Sequence, residues 1–168
     1  MSAAGADPRN LTAFKRPAGS RAFLAGTGRN CDKERIWKKT IILGLGNLLY
    51  GDEGFGVRLA QHLYAHWDFP PGVSVVDGGT QGQTLLTFVE EADSLLVLDA
   101  VDFGLEPGEL TLREEVPAYV TAQKVGPHQN SFSEVLGLAA LRGTQPRRCA
   151  LLGVQPAAMT LGAHCSPE

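Results

Sequence analysis

The stretch GLGNLLYGDEGFG, residues 44–56, follows the apolar residues Ile41, Ile42 and Leu43. A short apolar strand that ends at glycines and runs into a helical pattern is typical of the first unit of an α/β fold. The turn begins as a nucleotide-binding turn does, but the G-x-G-x-x-G pattern needs glycine where this chain has Leu49, and no G-K-[ST] follows. Asp52 and Glu53 would also repel a pyrophosphate at a helix N-terminus. We therefore expect the turn to present carboxylates to a site, and not to bind a nucleotide.

Length and charge divide the chain into two parts. The 168 residues are 43% hydrophobic and 20% charged, which is typical of one globular domain. Residues 1–40 carry nine Lys or Arg against three Asp or Glu, a net of +6, and the rest carries six against fifteen, a net of −9. We expect 1–38 to be a basic, low-order extension, favoured over an organelle transit peptide, and 39–168 to be the folded domain. The acidic body argues against binding of nucleic acid.

Targeting and cysteine signals are sparse. No run of about 18 apolar residues occurs, so no membrane span is expected. Cys31, Cys149 and Cys165 form no C-x-x-C pair, which argues against a disulfide framework and a zinc ribbon. A reducing, cytoplasmic location fits this pattern.

Hydrophobic periodicity predicts alternating strands and helices. Only about eight residues separate the third strand from the fourth, too few for a parallel crossover, so the fourth should run antiparallel to the third. The fold class is therefore α/β, a three-layer αβα arrangement around a twisted, five-stranded, mostly parallel sheet with one antiparallel strand. The predicted strands are 40–46, 73–79, 94–100, 109–113 and 148–156, and the predicted helices are 54–67, 82–91 and 131–143.

Polar residues follow three of these strands at what should be one edge of the sheet. Ligands of open α/β sheets lie outside the carboxyl ends of the parallel strands. Glu53, Asp99 and His128, the last in a loop before a helix, combine two oxygen ligands and one nitrogen ligand. That set suits nickel or zinc, with water completing the coordination. Asp77, Gly78, Gly79 and Thr80 follow the second strand at the same edge.

Each of these residues also has a structural explanation. Acids such as Asp52 and Glu53 are favoured at a helix start, and Asp99 could be a solvated carboxylate at a strand end. His128 could cap a helix or lie on the surface, and Gly78 and Gly79 could serve a turn that needs positive φ. Their joint placement at one edge is what favours a site.

Six segments resemble one known family. The chain contains ILGLGNLLYGDEGFGVRLAQHL, VVDGGTQGQTLL, LLVLDAVDFGLEPGEL, EEVPAY, GPHQNSFSEVLGLAAL and LLGVQP in that order, between about residues 41 and 156. In order and spacing they are similar to the nickel–iron hydrogenase maturation endopeptidases. The combination of G-x-G-N-x-L-x-x-D-E-G with D-G-G-T, D-A and P-H-Q is highly specific.

The resemblance implies an activity and a set of site residues. These peptidases remove a C-terminal extension from the hydrogenase large-subunit precursor after its nickel–iron centre is loaded. The resemblance places Glu53, Asp99 and His128 on the metal and in catalysis, and it places Asp77 with Gly78, Gly79 and Thr80 in substrate handling. The metal is nickel carried by the substrate, for which zinc or cadmium could substitute in a structure. No serine or cysteine lies in a nucleophile elbow, so a metal-polarised carbonyl or metal-activated water is expected, with nickel as a recognition mark only as the competing view.

Two other functions stay open at this point. One is a non-catalytic chaperone that checks nickel in the same precursor, and the other is a small-molecule hydrolase that needs no protein partner. The resemblance also indicates that the domain 39–168 lacks the family's long final helix. One face of the sheet should then be poorly covered near Leu151, Leu152 and Val154, which predicts dye binding or self-association.

Overall fold

A computed structural model describes residues 39–114, 127–162 and 164–166 of the chain. None of the helices in this part of the chain has the length and apolar character of a membrane span. The strands are β1 (Thr40–Leu45), β2 (Val73–Gly79), β3 (Ser94–Ala100), β4 (Leu110–Arg113) and β5 (Arg148–Val154); the helices are α1 (Phe55–His66), α2 (Leu86–Glu91) and α3 (Pro127–Arg142); and the 3₁₀ helices are Gly51–Gly54 and Gly82–Leu85.

The five strands form one mixed sheet in the order β2-β1-β3-β5-β4. Strands β2, β1, β3 and β5 pair in parallel, and β4 pairs antiparallel with β5 at the edge. The predicted α/β class and the reversed direction of β4 are confirmed. The spatial neighbour of β4 is β5, which the eight-residue connection after β3 did not indicate.

Helices cover the sheet from both sides. On one face α1 packs on β1, β2 and β3, with Ile42, Val75 and Leu98 beneath it. On the other face α2 and α3 pack together over a larger cluster. Buried on both faces, the central strands need the near-continuous apolar runs that the sequence shows. The largest fully buried side chains of this second cluster are Ile41, Leu43, Leu85, Leu151, Val76, Val89, Val101 and Val135.

Glycines let α1 lie directly against the ends of β1 and β3. A Cβ at Gly44 would lie 2.2 Å from the Gly56 carbonyl oxygen, and one at Gly56 would lie 2.1 Å from the Leu98 carbonyl oxygen. A Cβ at Gly46, whose φ is +129°, would lie 1.8 Å from the carbonyl oxygen of Glu53. The glycines of the opening stretch therefore fix where Glu53 lies relative to the sheet.

The predicted start of the third helix is wrong by four residues. The helix begins at Pro127, not at residue 131, so His128 belongs to its first turn and not to a preceding loop. Proline is favoured at the first helical position, because its fixed φ suits the helix and its missing N–H would have no partner there. Ser131 and Ser133, either of which could cap a helix that begins near residue 131, consequently lie inside the helix.

The poorly covered face lies farther along the sheet than predicted. Leu151 is buried on the α2–α3 side, so its place in that prediction is wrong. Leu152 lies on the α1 side, where it packs at the margin of the cluster beneath α1 and is half-buried. Across the sheet from Leu152 and Val154, on edge strand β4, Leu112 and Leu110 are 60% and 62% exposed.

Substitution of Gly56 tests the close approach of α1 to the sheet. The added methyl of Gly56→Ala meets backbone oxygens that cannot move independently, so we expect a loss of about 1–3 kcal/mol or more in the free energy of unfolding. Gly137→Ala is the matched control, since a Cβ there meets nothing within 4 Å. In mid-helix it should stabilise by about 0.5–1 kcal/mol. Urea unfolding followed by circular dichroism measures both, and equal effects would contradict the packing described.

Polar substitution on β4 tests the exposed apolar edge. The double variant Leu110→Lys/Leu112→Lys should bind less hydrophobic dye and scatter less light at high concentration, because charges on an edge strand oppose association. Its free energy of unfolding should change by less than about 0.5 kcal/mol. Leu141→Lys, at an 87% exposed position on α3, is the control. Unchanged dye binding in the double variant would show that dye binds elsewhere.

Candidate functional site

Glu53 lies in the 3₁₀ helix that connects β1 to α1. Its side chain is buried, with the residue only 6% exposed, and its backbone N–H donates to Tyr50 O at 3.2 Å. Its carbonyl packs on Gly46, as described above. The acid is thus held by backbone contacts at the carboxyl end of β1, where the sequence predicted it.

Asp99 is the residue before the last of β3 and is 2% exposed. Its Oδ1 accepts a hydrogen bond from the N–H of Ala100 at 2.9 Å. The alternation of β3 points it away from Leu98 and α1, towards the α2–α3 side. The explanation of Asp99 as a solvated strand-end carboxylate is therefore wrong, since the sheet and its helices enclose it.

The two buried acids are brought to neighbouring elements. The 3₁₀ helix that carries Glu53 contacts β3, in which Asp99 is the residue before the last. An ionised carboxylate is costly to bury unless hydrogen bonds, opposite charges or a metal compensate it. Two buried carboxyl groups at the carboxyl edge of the sheet are unusual for a purely structural region and typical of a site.

His128 is placed only by its backbone, in the first turn of α3. That helix packs on the same side of the sheet as Asp99. The side chain of His128 lies outside the described residues, so convergence of Glu53, Asp99 and His128 on one metal stays a prediction. Among the side chains that are described, no group of three His, Cys, Asp or Glu could hold a metal.

The Asp77–Thr80 segment builds a turn at the end of β2. Asp77 Oδ1 accepts from Gly79 N at 3.1 Å, and its Oδ2 accepts from Gln61 Nε2 of α1 at 3.1 Å. Gly78 packs on Leu43, and Gly79 has a φ of +48°. Asp77 shares the α1 face with Leu98, opposite to Asp99. A substrate-handling role for the segment stays a prediction, with Thr80 as its exposed side chain.

Asp52 has a different role from the one its position suggested. It forms no capping hydrogen bond to its own helix. Its Oδ2 accepts from Ala157 N and Ala158 N, both at 2.9 Å, and its Oδ1 accepts from Ser166 N at 2.7 Å. The hydroxyl of Ser166 also donates to Oδ2. Burial opposes ionisation of this carboxyl, but the hydrogen bonds from Ser166, Ala158 and Ala157 together lower the pKa of Asp52 below its usual value.

Gln155 organises the loop that follows Asp99. The buried side-chain oxygen accepts from Phe103 N at 2.8 Å and from Leu105 N at 3.2 Å. The side-chain nitrogen donates to Asp102 Oδ1 at 3.0 Å. Hydrogen bonds from Gln155 and from Gly104 N lower the pKa of Asp102. Sequence reasoning missed both Asp52 and Gln155 as organising residues, because their partners lie about 50 to 114 residues away in the chain.

Comparison with known proteins now decides the family. The hydrogenase maturation protease family model matches residues 57–168. The Hydrogenase 2 maturation protease of Escherichia coli (strain K12) is 37% identical over 121 residues, covering 70% of this chain and 73% of that protein. This chain belongs to the hydrogenase maturation protease family.

Other relatives agree on this family. The hydrogenase expression/formation protein HupM of Azotobacter chroococcum mcd 1 is 51% identical over 119 residues, which are 70% of this chain and 57% of that protein. The chain therefore spans little more than half the length of that relative. The solved hydrogenase maturating endopeptidase HybD from E. coli is 32% identical with a TM-score of 0.72, over 77% of this chain and 81% of that one. The resemblance to this family is thus confirmed at the level of family and fold.

The lowered pKa of Asp52 predicts how this family member responds to acid. A carboxyl whose pKa is lowered by folding stabilises the fold above its unfolded pKa, near 3.9, and loses that contribution as the pH falls through the folded pKa. At pH 7, Asp52→Asn should cost about 2–3 kcal/mol, since hydrogen bonds to an ionised group are lost. The difference in free energy of unfolding from wild type should narrow as the pH falls below the unfolded pKa towards the lowered pKa of folded Asp52.

Urea unfolding at a series of pH values measures this difference. Glu134→Gln, at an exposed position on α3, is the control for loss of one carboxylate, and it should differ little from wild type throughout. A difference for Asp52→Asn that stays constant down to pH 3 would show that the ionised form of Asp52 does not support the fold.

Proposed function

We propose that this chain is an endopeptidase that removes the C-terminal extension of a nickel-loaded hydrogenase large-subunit precursor. The observation that carries the proposal is the pair of buried acids, Glu53 and Asp99, on contacting elements at the carboxyl edge of the sheet in a member of this family. The protease in the name of the E. coli relative and the endopeptidase in that of the structural neighbour favour cleavage over a non-catalytic chaperone.

The chemistry of the acids fits nickel as part of the substrate. Glu53 and Asp99 supply oxygen ligands, and His128, in the first turn of α3, would supply a nitrogen ligand. Nickel brought by the precursor would polarise the scissile carbonyl or activate the attacking water. Hydrolysis then adds water across the C–N bond, with hydroxide to the carbonyl carbon and a proton to the leaving nitrogen. Because the acids are held by backbone packing, little reorganisation is needed when the metal arrives.

Substrate contacts would come from the loops around the two acids. Leu48 and Leu49, on the loop before Glu53, are 40% and 65% exposed, although both are large and apolar. With Thr80 at the end of β2, they would contact the polypeptide on either side of the scissile bond. A cytoplasmic location fits the free thiols Cys149 and Cys165, since disulfides are rare in that compartment.

Mass spectrometry of the precursor tests the function. The precursor from the same organism, nickel-loaded, should lose its C-terminal extension when the chain is added, and the nickel-free precursor should not. Asp99→Asn should slow cleavage by about 10–100-fold or more, because the amide keeps the shape but not the charge of the carboxylate. Asp68→Asn is the matched control and should cleave as wild type does.

Each outcome has a separate meaning. Wild type that binds the loaded precursor without cutting it would favour the chaperone function. Equal cleavage of the loaded and nickel-free precursors would contradict the role of nickel. Full activity of Asp99→Asn would remove Asp99 from the site. The circular dichroism spectrum of each variant shows whether its fold is intact.

A further inference from the structure

The segment after β5 crosses the sheet edge and contacts both acid-bearing loops. We call residues 155–166 the strap; residue 163 lies outside the described part. The described residues of the strap form no helix or strand, so the position of the strap depends on the hydrogen bonds it makes. Those bonds go to two places, the loop before α1 and the loop after β3.

At the first place the strap is tied to the loop that holds Glu53. Asp52, directly before Glu53, accepts hydrogen bonds from Ala157, Ala158 and Ser166, and its own N–H donates to Ala158 O at 3.2 Å. Farther along the strap, Gly162 N donates to Leu49 O at 2.7 Å. The carboxylate of Asp52 therefore points into the strap, away from any role as a helix cap.

At the second place the strap is tied to the loop that follows Asp99. Gln155 binds this loop through both ends of its amide, to Phe103 and Leu105 on one side and Asp102 on the other. Its backbone adds two more bonds, from Gln155 N to Glu109 O at 2.8 Å and from Gly108 N to Gln155 O at 2.9 Å. The loop between β3 and β4 thus has its fold set by one buried glutamine.

Only Pro156 separates Gln155 from the first residue that binds Asp52. Because proline fixes φ, the two attachment points are joined by a short, stiff link. This link connects the loop before α1 to the loop after β3.

We propose that Asp52 and Gln155 are positioning residues. Through the strap, they hold the loop that carries Glu53 and the loop that follows Asp99 in a fixed relative position. The inference rests on the proposed function, since it concerns the same site. Neither side chain needs to touch the substrate. Their effect is on the separation and orientation of the two acids, and a misplacement of about 1 Å in a catalytic group costs on the order of 100-fold in rate.

Amide hydrogen exchange tests, without any substrate, whether the strap links the two loops. Gln155→Met removes the side-chain hydrogen bonds while keeping a similar length. It should raise exchange about tenfold at Phe103 and Leu105, the effect of losing one neutral hydrogen bond each. Exchange should also rise at Ala157 and Ala158, which Gln155 does not contact through its side chain. Gln145→Met, exposed at the opposite end of β5, is the control and should change none of these amides.

Cleavage kinetics test the positioning part with the nickel-loaded precursor. Asp52→Asn and Gln155→Met should each lower kcat by about 10–100-fold while KM changes by less than about threefold, since alignment and not binding is lost. Gln155→Glu should be impaired because its carboxylate faces that of Asp102. The double variant Gln155→Glu/Asp102→Asn removes the repulsion between the two carboxylates and should recover part of the wild-type kcat. Recovery should be incomplete, because Asp102 Oδ1 accepts from both Gln155 and Gly104 N, and an amide nitrogen in its place cannot accept from Gly104.

The exchange and cleavage experiments distinguish failure of the proposed endopeptidase function from failure of the positioning role. If wild type does not cleave the loaded precursor, the proposed function fails, while the exchange result still decides whether the strap links the loops. If exchange in Gln155→Met rises only at Phe103 and Leu105, or if kcat is unchanged in both single variants, the positioning role is overturned. A rise in KM alone, with kcat unchanged, would also overturn the positioning role.

Discussion

The arrangement of this site depends on how closely the backbone of β1 and α1 can approach. Three positions along the opening stretch, Gly44, Gly46 and Gly56, leave no room for a side chain, because each faces a backbone carbonyl at less than 2.5 Å from where a Cβ would be. That contact sets the height of the 3₁₀ helix above the sheet, and with it the place of Glu53. A larger residue at any of the three would move the acid away from β3 and Asp99.

The glycine-rich turn therefore positions a carboxylate of the protein, whereas similar turns in dinucleotide sites bind a phosphate of the ligand. In a dinucleotide site, glycines make room for the ligand's pyrophosphate against the backbone. Here the space is occupied by the protein's own carbonyls, from Glu53, Gly56, Leu45 and Leu98. The absence of side chains at these glycines thus lets the segment 51–56 contact β1 directly. That segment presents Asp52 and Glu53 at the sheet edge.

Sequence patterns predicted the layers, the direction of β4 and the position of Glu53 and Asp99 at the carboxyl edge of the sheet, but not the burial of the two acids. Those features depend on periodicity, on connection length and on the rule that sites lie beyond the carboxyl ends of parallel strands. The start of α3 was misplaced because the pattern of apolar residues begins at Phe132, whereas proline at position 127 already allows helix. The roles of Asp52 and Gln155 could not be read from the sequence, since each depends on partners about 50 or more residues away. The roles of the site residues, that of His128 above all, still rest on the resemblance of their motifs to the family.

The most direct measurement is the anomalous difference map of a crystal of this chain soaked with zinc or cadmium. The account predicts one strong peak at the carboxyl edge of the sheet, bonded to both Glu53 and Asp99, with zinc–oxygen distances near 2.0–2.2 Å and His128 as a third ligand. A map in which the ion binds elsewhere, with Glu53 and Asp99 both lacking metal, would contradict the claim that the glycine packing brings these two acids together to hold a metal.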